Sequence, residues 1–80
     1  MKLISQTMID DEIARACRKF PDWPEDPIHA AAIVAEESGE LIRAAVQYRY
    51  EDGASVDMIM EAVHTAATAI RFLEVMTGGG

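Results

Sequence analysis

The sequence predicts an all-α protein built as a three-helix antiparallel protomer, on three observations. Apolar residues recur at three- and four-residue spacing along three stretches, no alternating strand pattern intervenes, and proline or turn residues separate the stretches. Eighty residues make one domain at most. Residues 1–77 are expected to form it, with a flexible glycine tail at 78–80. So short a chain buries little of its surface. Its one cysteine, Cys17, allows no internal disulfide, so association is the remaining source of stability.

Helix one is expected from Ser5 or Thr7 to Lys19, with Ile9, Ile13, Ala16, Cys17 and Phe20 at helical spacing. Thr7 can cap it, with Asp10, Asp11 and Glu12 in the first turns and Arg15, Arg18 and Lys19 near the end. That charge order suits the helix dipole. Pro21 closes the helix. Three prolines between Pro21 and Pro27 then forbid regular helix and favour a stiff connector. Trp23 in this connector is either a hydrophobic plug over the bundle end or an aromatic lid for a planar ligand.

Helix two is expected from Pro27 to Tyr50, with Asp26 as N-cap and Pro27 in the first turn. Val34, Leu41, Ala45, Tyr48, Ala31, Ile42, Ala35, Ile28 and Val46 share a broad apolar sector. Glu36, Glu40, Arg43, Gln47 and His29 share the other, with Glu37 on the border. Gly39 costs a helix about 1 kcal/mol against Ala, which is explained if a helix or ligand approaches there.

Helix three is expected from a Ser55 cap to about Met76. Val56, Ile59, Met60, Val63, Ala66, Ala67, Ile70 and Leu73 form its apolar face. Asp57, Glu61, His64, Thr68 and Arg71 form a polar strip beside it, and Met58, Ala69, Phe72 and Val75 lie outside the main face. Helices two and three are apolar around more than half their circumference. One protomer cannot cover that surface, which points to a helical oligomer.

The net charge of −7 argues against a nucleic-acid partner, since phosphate backbones need basic clusters. No apolar run approaches the roughly 20 residues that span a bilayer. Met1–Gln6 turns polar too early for a secretory leader. A cytoplasmic protein is expected.

The chemistry concentrates in Glu36, Glu37 and Glu40, then Glu61 and His64. Residues three apart lie on neighbouring parts of one helix face, so Glu37 with Glu40, and Glu61 with His64, can each address one spot. Packed antiparallel, the pairs can converge. Clustered carboxylates raise one another's pKa unless a cation lies between them, and oxygen ligands favour Mg²⁺, Mn²⁺ or Ca²⁺. Spacing alone equally fits solvated acidic helices. His64 can ligate a metal, act as a general base or donate to phosphate. Arg71 can pair with phosphate, and Arg43 can do so or pair with Glu40.

Glu36-Glu37-x-x-Glu40 followed by Glu61-x-x-His64 resembles the E-E-x-x-E…E-x-x-D signature of the MazG-like all-α nucleotide pyrophosphohydrolases, which include dimeric dUTPases and dCTP pyrophosphatases. A Trp- and Pro-containing connector and the Gly39-Glu40-Leu41 step extend the resemblance over about residues 23 to 74. It implies a homodimer or homotetramer that completes a four-helix-type bundle by oligomerisation. It also implies Mg²⁺ as cofactor, with Mn²⁺ the other candidate, and hydrolysis of a nucleoside triphosphate to the monophosphate and pyrophosphate. Glu37, Glu40 and Glu61 would be metal ligands, and Glu36 an outer carboxylate or a guide for the attacking water. Trp23 would cover the base, and Arg43, Arg49 and Arg71 are the basic residues left for the phosphates. His64 stands where the family has Asp, which removes one anionic ligand. Three glutamates and water could then hold the metal, or His64 could serve as a softer ligand that accepts Mn²⁺. The third outcome is a non-catalytic relative that binds a nucleotide or a protein.

Overall fold

The computed structural model describes residues 1–78. Three helices make up the chain: α1 (Ile4–Lys19), α2 (Pro27–Tyr50) and α3 (Ser55–Met76). The Asp26 carboxylate accepts from the His29 amide at 2.8 Å, and Pro27 starts α2, as expected. The other two starts differ from the sequence expectation. Thr7 lies inside α1, its hydroxyl donating to the Leu3 carbonyl at 3.4 Å. The Leu3 amide instead donates to the Gln6 side chain at 2.9 Å. Asp10, Asp11 and Glu12 therefore sit beyond the first turn, where the helix dipole acts weakly. Ala54 occupies the N-cap position of α3, and Ser55 is its first helical residue.

The α2–α3 connection is short because Gly53 folds back on α2. Its amide donates to the Gln47 carbonyl at 2.8 Å, and an added Cβ would lie 2.9 Å from Gln47 Cβ. Asp52 takes φ 57°, a left-handed turn position that Asp tolerates. At the far end, Gly78 (φ 70°) closes α3, its amide donating to the Val75 carbonyl at 3.2 Å. The rest of the expected glycine tail, Gly79-Gly80, lies outside the described residues.

α3 is the middle helix. It packs against α2 on one side and α1 on the other, while α1 and α2 do not pack together. Ala31 and Val34 neighbour Phe72 and Leu73, Glu37 neighbours Glu61 and His64, and Gln47 neighbours Asp57 and Met60. Ascending numbers in α2 thus meet descending numbers in α3, so the pair is antiparallel. Glu12 meets His64, and the Phe20 carbonyl meets Arg71, so α1 runs in the same sense as α3. Among the described residues no helix is long and apolar enough to cross a membrane.

The buried core is thin. It consists of Ala30, Ala44, Val63 and Ala67, and no residue of α1 is buried. The inward face of α2 overlaps only part of the sector the sequence suggests: Val34, Leu41 and Ala45 of that sector are half-buried, and the rest is exposed. Ala30, Ile33, Glu37, Leu41 and Ala44, at three- and four-residue spacing, turn toward α3. Glu37 therefore lies in the middle of the packed face rather than on its border. Ile28, Ala31, Ala35, Gly39, Ile42 and Val46 form a separate stripe left in the open, with Ile28 80% and Ile42 67% exposed. On α3, Val63 and Ala67 are buried and Phe72 is half-buried, while Ile59, Ile70 and Leu73 are exposed. Gly39 has no atom within 4 Å of the position a Cβ would take, so nothing in the protomer approaches it.

Candidate metal centre

Where α2 and α3 pack, Glu37 comes from one helix, and Glu61 and His64, one turn apart, from the other. A carboxylate oxygen of each glutamate and one ring nitrogen of His64 all lie within 4.8 Å of one another. His64 Nδ1 is 3.5 Å from Glu61 and 3.9 Å from Glu37. All three side chains are half-buried. Two carboxylate oxygens and an imidazole nitrogen, with an open side toward a cavity, suit a small divalent cation. Donors around Mg²⁺, at bond lengths of about 2.1 Å, stand about 3–4 Å apart. The separations of His64 Nδ1 from Glu61 and Glu37, 3.5 and 3.9 Å, fall in that range.

The electrostatics fit a site short of positive charge. Burial pushes the Glu37 carboxyl above its ordinary value. His64 opposes this, and the charges of Glu61, Glu40 and Glu36 add to it. On the α3 side the Thr65 hydroxyl donates to the Glu61 carbonyl at 2.8 Å.

Glu37 and His64 open into a cavity of about 390 Å³ between α1, the proline connector, α2 and α3. Trp23, half-buried, forms part of its wall, and its buried indole Nε1 has no hydrogen-bond partner. The Arg71 guanidinium lies 5.0 Å from the centre of the Trp23 ring and donates to the Phe20 carbonyl at 2.6 Å. Arg71 thus lines the cavity but is already engaged, tying the connector to α3.

The remaining expected residues stand outside the cluster. Glu40 is exposed and, with Arg43, Asp57 and Glu61, borders a second cavity of about 250 Å³. Glu61 belongs to the cluster yet lines only this second cavity. Glu36 is exposed and lines neither cavity, and Arg49 stacks on Tyr50 at 5.0 Å, also away from both.

Two residues of α1 join the site without having been singled out by sequence. Glu12 approaches His64 Nε2 at 3.8 Å, and Arg15 grips Glu12 through two bonds of 2.8 and 2.7 Å. That grip holds the Glu12 carboxyl below its ordinary value. Only the helical i, i+3 spacing of Glu12 and Arg15 was visible beforehand, and it reads as an ordinary surface pair. No family model, curated protein or solved structure matches the chain.

Proposed function

We propose that the chain is a divalent-metal-dependent nucleotide pyrophosphohydrolase of the MazG-like type, converting a (d)NTP to the (d)NMP and pyrophosphate. The observation that carries the reading is the convergence of Glu37, Glu61 and His64, two of which, Glu37 and His64, line a cavity walled by Trp23. Glu37, Glu61 and His64 would hold Mg²⁺ or Mn²⁺, with Glu40 available from the far side of Glu61. When bound, the metal offsets phosphate charge and lowers the pKa of a coordinated water. Glu37, facing the cavity, would orient an attacking water in line with the phosphate, and Glu36 adds negative charge beside it. Trp23 covers the base, Arg71 borders the phosphates from α3, and Arg43 borders them from the second cavity.

The proposal includes assembly as a homodimer or homotetramer. The protomer exposes 5740 Å², whereas a compact monomer of 8.8 kDa exposes about 4,800 Å². The excess, roughly 900 Å², matches the roughly 800 Å² each partner buries in a standard interface. The open stripes on α2 and α3 meet at an apolar groove lined by Ala31, Ala35 and Leu73. A second α2–α3 pair seated there would complete a four-helix bundle, with Gly39 letting the partner come close.

A second reading, a nucleotide- or protein-binding relative without catalysis, is favoured by the prior engagement of Arg71 with Phe20. The test is pyrophosphate release from a panel of nucleoside triphosphates with Mg²⁺ or Mn²⁺. Release that falls about 100-fold or more in Glu61→Gln supports the enzyme. Nucleotide binding with no release under either metal supports the second reading.

A further inference from the structure

Resting on the metal-site reading, we infer that Glu12, locked by Arg15, is a positioning residue: it takes the Nε2–H of His64 and leaves Nδ1 as the metal-donor atom. A neutral imidazole carries one N–H and one lone pair, and a metal needs the lone pair. The two edges of His64 face different partners. Nδ1 faces Glu61 and Glu37 at 3.5 and 3.9 Å, whereas Nε2 faces Glu12 from another helix at 3.8 Å, a contact that must tighten by several tenths of an ångström to become a hydrogen bond. Glu12 is on the ring edge opposite the other two carboxylates, so it does not belong to the same ligand set.

Glu12 is also the least exposed of the three glutamates. Its side chain is 11% exposed, and the oxygen facing His64 is the one that accepts from the Arg15 terminal nitrogen at 2.7 Å. Without a cation, a proton on Nδ1 would be drawn to the two carboxylates beside it. With a cation between Glu37 and Glu61, that proton is repelled and Nε2–H toward Glu12 is preferred. A fixed carboxylate behind a metal-bound histidine orients the ring and raises its basicity, and such partners change metal affinity 10- to 100-fold. Here the arrangement returns, behind the ring, part of the negative charge that a neutral ligand does not supply.

The test uses the full chain in three forms: wild type, Glu12→Met, which keeps length without an acceptor, and Glu12→Gln, which keeps a carbonyl acceptor. Melting of the metal-free proteins checks that each is folded. Long-range ¹H–¹⁵N NMR with Zn²⁺ as a diamagnetic probe reads which ring nitrogen of His64 binds the ion, and titration with Mn²⁺ reads affinity. The expected result is metal on Nδ1 with the proton on Nε2, at least about tenfold weaker Mn²⁺ binding in Glu12→Met, and partial recovery in Glu12→Gln. Metal bound through Nε2, or equal affinity in folded Glu12→Met, overturns the positioning role and leaves the metal site standing. Wild type that binds neither ion overturns both.

Discussion

His64 Nδ1 lies 3.5 Å from a carboxylate oxygen of Glu61, one turn earlier on α3. A carboxylate oxygen and an imidazole nitrogen are thereby offered to the same point, together with Glu37 from α2. Nitrogen ligands suit Mn²⁺ better than Mg²⁺, which prefers oxygen. His64→Asp is therefore expected to raise Mg²⁺ affinity by about tenfold and to narrow the preference for Mn²⁺. Isothermal titration with each ion checks this, and unchanged Mg²⁺ affinity counts against His64 as a ligand.

Acidity gives a second handle. Burial raises the Glu37 carboxyl in the folded chain, so the folded state holds its proton more tightly than the unfolded state does. For this group, stability falls as pH rises from the ordinary glutamate value of 4.5 through the raised folded value. Glu12, lowered chiefly by its bond from Arg15, has the opposite sign: its contribution is present above 4.5 and is lost as pH falls through its lowered value. In metal-free protein, Glu37→Gln should stabilise the fold near neutral pH and flatten the decline above 4.5. Denaturant titrations across pH read both effects. A variant no more stable than wild type at neutral pH would show that Glu37 is not strained there.

The open stripe on α2 makes assembly testable with one substitution. Ile42 is 67% exposed in the protomer, so Ile42→Glu should cost the isolated chain little. Within an interface it removes an apolar anchor and buries a charge, a loss of about 1–2 kcal/mol or more, about tenfold in dissociation constant. Sedimentation equilibrium should find wild type as a dimer or tetramer and the variant shifted toward monomer. Wild type that remains monomeric would remove the assembly proposal.

Gly53 supplies a control on the fold itself. A Cβ there would lie 2.9 Å from Gln47 Cβ and from the Gln47 carbonyl carbon, both fixed parts of the α2 terminus. Gly53→Ala should cost about 1–3 kcal/mol and lower the melting temperature by several degrees for each kcal/mol in a domain of this size. No loss of stability would mean that the α2–α3 turn relaxes freely.

The boundaries of α2 were legible because their signals are local: Asp26-Pro27 starts it, and Glu51-Asp52-Gly53 ends it, whereas the caps expected at Thr7 and Ser55 lie inside their helices. The helix faces were less legible. On α2 two apolar sets compete, Ala30, Ile33 and Ala44 against Ile28, Ala31, Ile42 and Val46, with Leu41 of the expected sector on the covered side. The larger side chains of the second set drew the expected face toward what is open surface. That displacement put Glu37 on a border when it lies mid-face. The i, i+3 pair Glu61 and His64 was readable because a helix forces such neighbours together. Glu12 was not, because its approach to His64 depends on how α1 docks along α3, which no local spacing encodes.

The metal centre itself is tested most directly by counting Mn²⁺ binding in wild type, Glu37→Gln and Glu61→Gln, using the electron paramagnetic resonance signal of free Mn²⁺, with melting to confirm that all three fold. A saturable site in wild type that is weakened at least about tenfold in both variants supports a cation held between α2 and α3. Equal binding in all three, or none in wild type, contradicts it.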